Sequence, residues 1–321
     1  MEITDPVYGT VTIDEPVLKD LIKSKPVQRL KEVHQGGPSP FFIDDKPYVT
    51  RFEHSIGVML LLREFHASIE EQIAGLLHDV PHTAFSHVAD FVFENEEHEY
   101  HEDFMEDIVY SSEIPEILEN YDLEVDYILD ESNFGLLERD LPDLCADRLD
   151  YSMRDLKRHE DIEVERFLES LAVEDGKFVF KDANIGKEFA EKFMYADRQW
   201  WANPREVAIY HLFAEALREA LEVSIIEEED LFNTDRVLLE KLRNSNNDEI
   251  MAILNLLQRG LKIEIESEDY DFIETTKARA VDPEIKGESV RVSEVFPEVG
   301  KDINEHQKRV SDGYKIKVVN S

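Results

Sequence analysis

The chain has 321 residues, 42% hydrophobic and 10% aromatic, which is enough apolar material for a packed core and too much for a disordered chain. Its 73 Asp and Glu against 35 Lys and Arg leave a formal charge of −38. That charge repels polyanions and argues against general binding to nucleic acid or to an anionic membrane. One cysteine, Cys145, excludes a disulfide framework and a cysteine-built zinc site. No basic segment followed by an apolar run opens the chain, and the longest apolar stretch, Ile56 to Leu62, is far too short to span a bilayer. A cytoplasmic location is expected.

Val7 to Ile13 reads as an extended start, followed by a helix through Leu18, Leu21, Ile22 and Val27 to Val33. Gly36, Gly37, Pro38 and Pro40 mark a loop. Thr50-Arg51-Phe52-Glu53 has the capping-box pattern and places a helix start at Thr50, with Arg51 and His54 on one face. Ile69, Ile73, Leu76, Leu77 and Val80 give a second amphipathic helix, which Pro81 stops. Helical patterns continue through 84–93, 100–110, 113–119 and 142–158. Asp175-Gly176 between two apolar runs predicts a hairpin over 171–180.

Helices resume through 185–228, and two more are predicted at Asp235 to Leu242 and Asp248 to Gln258. Lys262 to Glu266, Val290 to Val292 and Tyr314 to Val319 read as strands. The expected architecture is mainly α: residues 1–228 form a large helical domain with a small hairpin, and 229–321 form an α+β appendage.

Five histidines cluster in sequence: His78, His82, His87, His98 and His101. His78-Asp79 ends an apolar helix, His54 precedes it on a neighbouring helix, and Asp147 follows on a later one. Two imidazoles and two carboxylates form a mixed nitrogen and oxygen donor set suited to Mn, Fe, Zn, Co, Ni or Mg. Taken one by one, the same residues also fit satisfied core histidines and helix caps. On the helix through Ala146 to Asp155, the residues Asp147, Tyr151 and Asp155 share a face, while Leu149, Met153 and Leu156 form an apolar one. Arg148, Arg154, Lys157 and Arg158 put four bases into an otherwise acidic chain, as an anionic substrate would need.

Three motifs, Arg51-Phe52-Glu53-His54-Ser55, the run from His78-Asp79 through His87 to Asp90, and Asp147-Arg148-Leu149-Asp150-Tyr151 through Asp155, resemble those of the HD-domain deoxynucleoside triphosphate triphosphohydrolases. The likeness is to the SAM-and-HD-domain branch, and it fades after about residue 211. It implies an HD-type helical core and a divalent metal held by His54, His78, Asp79 and Asp147. It places His82, His87, Asp90 and His101, with Glu102 beside His101, around the scissile phosphate. It assigns Gln35, Arg51, Arg148, Tyr151 and Asp155 to phosphate and sugar. The implied reaction releases deoxynucleoside and intact tripolyphosphate, from a homodimer or homotetramer acting on a small nucleotide. Two other readings fit the residues: an HD phosphohydrolase for another nucleotide, a monophosphate or a signalling nucleotide, or a catalytically weak nucleotide-binding scaffold.

Overall fold

The computed structural model describes residues 1–43, 48–95, 100–265 and 268–319, and the fold is mainly α with small sheets. The Arg51–Glu64 helix is its hub. Thr50 Oγ1 accepts the Glu53 N–H at 3.1 Å and the Glu53 carboxylate accepts the Thr50 N–H at 2.9 Å, so the predicted capping box is formed. Ten of the fourteen residues of this helix, from Arg51 to Leu62, are buried. A helix covered nearly all round belongs inside the protein. The Ile69–Leu77 helix and the Ala146–Glu160 helix pack against it. Three chain segments distant in sequence thereby bring His54, the His78 region and Asp147 to one place.

The Ile69–Leu77 helix starts at a Ser68 cap and ends at His78, leaving 78–87 as non-helical turns. On the Ala146–Glu160 helix, Leu149, Met153 and Leu156 are fully buried, as their spacing predicts. The same helix buries Asp150 and Arg154 completely. These two charged side chains lie against Gly57 of the hub helix, where a Cβ would come within 2.0 Å of both.

The hairpin forms as predicted. Leu171–Glu174 pairs antiparallel with Lys177–Phe180, and Asp175 and Gly176 take φ of 50° and 74°. Glu284–Ile285 then adds parallel to Lys177–Phe180, and Val290–Arg291 pairs with it. The strands expected near 262–266 and 314–319 pair in a second sheet, ordered Ile263–Ile265, Tyr314–Val318, Phe272–Glu274.

The start of the chain differs from expectation. Glu2–Asp5 and Gly9–Thr12 form a hairpin, so the extended segment has a partner strand. The helix predicted through 18–33 breaks at Ser24 into Pro16–Lys23 and Lys25–Arg29. Pro26 has no N–H for the Ile22 carbonyl, and its ring would crowd that oxygen; the Gln28 amide donates to it instead, at 2.6 Å. A long helix, Pro297–Ser311, was not anticipated. Its buried positions are only Val299, His306 and Val310, with charged residues between them, so its apolar stripe is faint.

Residues 280–299 contribute Ala280, Val281, Ile285, Val292 and Val299 to the apolar cluster that also holds the hub helix. A second cluster joins Phe85 and Val88 to residues on both sides of position 228, from Val207 to Leu261. The C-terminal third thus supplies core to the helical part that carries the motifs.

Gly57 gives a test of this packing. In an ordinary helix Gly→Ala stabilises by about 1 kcal/mol. Here Gly57→Ala must displace the buried Asp150–Arg154 pair, and breaking such a pair costs about 3–5 kcal/mol. The variant is expected to melt well below the parent protein in a thermal or urea unfolding experiment; an unchanged or raised melting temperature would contradict the packing.

Candidate metal and active site

His54 is fully buried on the hub helix. Its Nδ1–H donates to Asp150 Oδ2 at 2.8 Å, leaving Nε2 facing Asp147 Oδ1 at 2.8 Å. His78 Nδ1–H donates to the Gly75 carbonyl at 2.8 Å, and its Nε2 lies 3.3 Å from His54 Nε2. His78 Nε2 is also 3.5 Å from Asp79 Oδ1 and 3.6 Å from Asp147 Oδ1. Asp79 Oδ2 lies 3.9 Å from His54 Nε2, and it is buried without a hydrogen-bond partner.

The four expected metal donors are therefore brought together. With both Nδ1 atoms donating, two imidazole lone pairs face each other between two carboxylates, and the centre demands a cation. A proton answers part of that demand: burial opposes it, but the bonds to Asp147 and Asp150 outweigh burial and push His54 up to about 10. A divalent ion answers all of it, and it would also give the orphaned Asp79 oxygen a partner. The donor set fits such an ion.

Asp150 is the residue that the sequence left without a role. Its carboxylate accepts from His54, from Arg154 (3.0 and 2.8 Å) and from the Tyr8 hydroxyl (2.8 Å). Arg154 also donates to Asp5 at 2.9 Å. The signal was available: Asp147, Asp150 and Arg154 at i, i+3 and i+7 fall on one helix face.

Next to the donors stand three imidazoles. His82 and His101 are stacked with ring centroids 3.5 Å apart, and His87 lies 5.0 Å from His82 and 5.7 Å from His101. His87 Nδ1 pairs with Asp90 Oδ2 at 2.9 Å, and Asp90 Oδ1 accepts the Tyr100 N–H at 3.0 Å. His82 Nε2 is 3.3 Å from Asp79 Oδ1, while its Nδ1 is buried without a partner.

Burial, then Arg51 and the neighbouring rings, hold His82 well below the ordinary histidine value. Burial, then His87 and Arg51, brings His101 down to about 3. Burial also lowers His87, although Asp90 opposes it. Three imidazoles held neutral thus stand beside a highly charged centre, His82 buried and His87 and His101 half-buried. Glu102 is exposed at the start of the Glu102–Phe104 turn, and His98 lies outside the described residues.

The turn that presents these rings is strained, since Phe85 and Ser86 take φ of 59° and 55°. It is held from far away in sequence. Arg29 donates to the carbonyls of Val80 (2.8 Å) and His82 (2.7 Å) with one guanidinium nitrogen, and to those of Phe232 (3.2 Å) and Asn233 (3.0 Å) with the other. Asp235, nearly fully buried, accepts the Phe85 N–H at 2.7 Å and the His34 N–H at 2.8 Å. The sequence assigned neither residue a role, because most of their partners are backbone atoms.

The expected substrate contacts are placed as follows. Arg51 is buried and gives Nη1 to Asp79 (2.6 Å) and Nε to Ser86 (2.8 Å). Gln35 lies in the loop that bonds Val49, and its Oε1 is buried without a partner. Tyr151 is half-buried, 6.4 Å from the His54 ring and edge-on to Trp201 at 4.9 Å. Asp155 accepts the Trp201 indole N–H at 2.7 Å.

Arg148 donates to the carbonyls of Asp143 (2.8 Å) and Arg139 (2.9 Å) and to Glu138 (3.0 Å). The other bases of the predicted cluster are also paired: Arg154 with Asp150 and Asp5, Lys157 with Glu165, Arg158 with Glu53. Charge balance inside the fold thus accounts for much of that basic run.

Residues 51–155 match the HD domain. The chain is 45% identical over 290 residues to uncharacterized protein YdhJ of Bacillus subtilis, covering 89% of this chain and 88% of that protein. It is 31% identical over 295 residues to the metal-dependent phosphohydrolase cns2 of Cordyceps militaris, covering 88% and 84%. The chain belongs to the HD-domain phosphohydrolase family. A shorter stretch of 142 residues, 37% of this chain and 23% of the other, is 33% identical to the deoxynucleoside triphosphate triphosphohydrolase SAMHD1 of Gallus gallus. The fold is similar along the whole length of both chains to a phosphohydrolase from Bacteroides thetaiotaomicron, with a TM-score of 0.69 at 20% identity.

Two outcomes test the site. His78→Ala and Asp147→Ala are expected to lose most bound divalent metal with helix content retained, and Asp150→Asn to weaken metal binding by about 10–100-fold. Elemental analysis after dialysis checks this, and full metal content in the alanine variants would remove these donors from the site. Asp235→Ala leaves two buried N–H groups unpaired, at about 1–3 kcal/mol each. It is expected to lower both the melting temperature and turnover while metal content stays at the parent level.

Proposed function

We propose that the protein is a divalent-metal hydrolase that cleaves deoxynucleoside triphosphates to deoxynucleoside and tripolyphosphate. One observation carries the reading: a two-histidine, two-aspartate donor set adjoins three imidazoles held neutral, His82 buried and His87 and His101 half-buried, with His87 paired with a carboxylate. The partial likeness to SAMHD1 supports the choice of substrate. In this reading His54, His78, Asp79 and Asp147 hold the ion, which when bound supplies a Lewis acid for a phosphate oxygen and a more acidic water.

The protein's own side chains do the rest. Asp150 and the Gly75 carbonyl fix both metal-facing imidazoles in the tautomer that offers Nε2. Arg51, held by Asp79 and Ser86, places fixed positive charge beside the reacting phosphate. His87 can protonate a leaving 5′-oxygen: its Nδ1 is oriented by Asp90, and an entering phosphate supplies the negative charge that the neutral imidazoles lack. His82 and His101, stacked on each other, line the same site and exclude water from it. Tyr151 would lie under the sugar and crowd a 2′-hydroxyl, and Gln35 Oε1 would accept from the 3′-hydroxyl. Glu102, at the surface, would orient His101, and Arg148 and Asp155 would form the outer wall.

A second reading, hydrolysis of another nucleotide such as a monophosphate, is favoured by one observation. Arg51 and Arg148 already have carboxylate partners, which leaves little uncommitted charge for a long anion.

Chromatography of the products from separate dNTP and NTP incubations with Mn or Mg decides between the two. Deoxynucleoside plus intact tripolyphosphate, with ribonucleotides poorer, is the expected result. Nucleoside diphosphate or pyrophosphate would contradict it, and rapid turnover of monophosphates alone would establish the second reading.

A further inference from the structure

A polyphosphate needs positive charge along its length, the more so on a protein whose net charge is −38. Around the metal donors, the guanidinium groups of Arg51, Arg148 and Arg29 each make hydrogen bonds of 3.2 Å or less to the protein. Arg279 does not share that commitment. Its guanidinium contacts are long: 3.4 Å to the Lys277 carbonyl and 4.0 Å to Asp197 Oδ1, with 22% of the side chain exposed.

Its backbone, by contrast, is fixed. The Arg279 N–H donates to the buried Asp197 carboxylate at 3.1 Å, and Ala280 and Val281, which follow, are fully buried. The other hydrogen bond to that Asp197 oxygen comes from His306 Nε2 at 2.6 Å, also in the core.

Asp197 also locates Arg279 relative to the donors. It opens the π-helical turn Asp197–Trp201, an irregularity frequent at functional sites. That turn delivers Trp201 onto Asp155 and, edge-on, onto Tyr151, whose ring is 6.4 Å from His54. Asp197 therefore ties the Arg279 backbone to the turn that packs on Tyr151, next to the metal donors. After burial, which dominates in each case, its charge is among the influences that lower the proton affinity of His87, Tyr151 and Tyr210. These three groups stand on separate elements, so the charge of Arg279 is felt on several sides of the site.

We infer that Arg279, carried in by the C-terminal third of the chain, anchors the phosphates of an anionic substrate that lie farthest from the metal donors. The inference rests on the phosphoester-hydrolase reading above and adds the residue that sets a preference for a long phosphate chain over a short one. Arg279 here is a binding residue: the proton and the reacting phosphorus stay with the histidines and the donor set.

The test uses the metal-loaded, full-length protein and two inorganic probes, tripolyphosphate and orthophosphate, with affinities measured by calorimetry. Arg279→Gln keeps the side-chain length and removes the charge. A hydrogen bond to a charged group contributes about 1.5–3 kcal/mol, so tripolyphosphate is expected to bind roughly 10–100-fold more weakly to this variant. Orthophosphate, held near the donors, should change by less than about threefold, with metal content and melting temperature at the parent level. Arg279→Lys, which restores charge without the planar fork, should recover part of the tripolyphosphate affinity; it also serves as the deciding variant if Arg279→Gln folds poorly.

Equal losses for the two probes, an unchanged tripolyphosphate affinity in Arg279→Gln, or no tripolyphosphate binding by the parent protein would each overturn the inference. The substrate reading fails separately: if deoxynucleoside triphosphates are not hydrolysed but tripolyphosphate binding still depends on Arg279, the anchor stands and the substrate does not.

Discussion

The site depends on one buried carboxylate. Asp150 receives the Nδ1 proton of His54, two guanidinium nitrogens of Arg154 and the hydroxyl of Tyr8, with no solvent contact. Removing such a group from water costs several kcal/mol, which only good geometry on all its lone pairs offsets. Arg154 meets that demand and is itself completed by Asp5 of the N-terminal hairpin. A glycine at position 57 opens the space, so the hub helix can lie directly on the ion pair. The outcome for chemistry is an Nδ1 of His54 pinned to Asp150, with Nε2 turned toward Asp79 and Asp147. Fold stability and metal-site geometry are here the same set of contacts.

A comparable coupling holds the other half of the site. The His82–His87 turn runs through two residues in left-handed conformation, which a free peptide would not keep. Arg29 and Asp235 supply backbone hydrogen bonds at either end of it, and Leu231 O accepts the Ala84 N–H at 2.7 Å. Residues 231–235 lie well beyond the stretch that matches the HD domain. They nonetheless set where the histidines of that turn point. Burial raises Asp235 to about 7 against its two N–H donors and Arg29. So the carboxylate that ties the turn to the His34 loop is itself held in an unfavourable medium, and its hydrogen bonds oppose that cost.

What the sequence disclosed followed from local spacing. The Thr50 capping box, the Asp175-Gly176 hairpin and the apolar face of the Ala146–Glu160 helix are each written within a few consecutive residues, and each forms. The proximity of the candidate metal donors was legible for a related reason: His54, His78-Asp79 and Asp147 sit at element ends or on faces that local patterns define. Long-range partnership was not legible. Arg148 read as an uncommitted base because Glu138 lies 10 residues away on another segment; Arg154 had a legible partner in Asp150 one turn back, but Asp5, 149 residues away, was not announced by any helical wheel. Asp235 and Arg29 bind backbone atoms, which carry no residue identity. The Pro297–Ser311 helix was missed because its inward stripe includes a histidine, His306, whose partner is Asp197.

The charge distribution then sets the terms on which an anion could enter. A surface field set by −38 opposes any phosphate, but it is screened within about 8 Å at physiological ionic strength. Near the metal donors the balance differs. Carboxylates outnumber bases next to the donors, where Glu138 is raised to about 7, first by burial and then by Asp147. That excess favours a cation. Arg279, tied to the turn that packs on Tyr151, brings positive charge to the same region, and burial disfavours charge on the three imidazoles. A short anion that meets a cation at the donors and Arg279 with its remaining charge fits this distribution, whether or not a sugar and base follow. The acidic exterior then excludes long polyanions by their many exposed charges, while a short one meets only the local field.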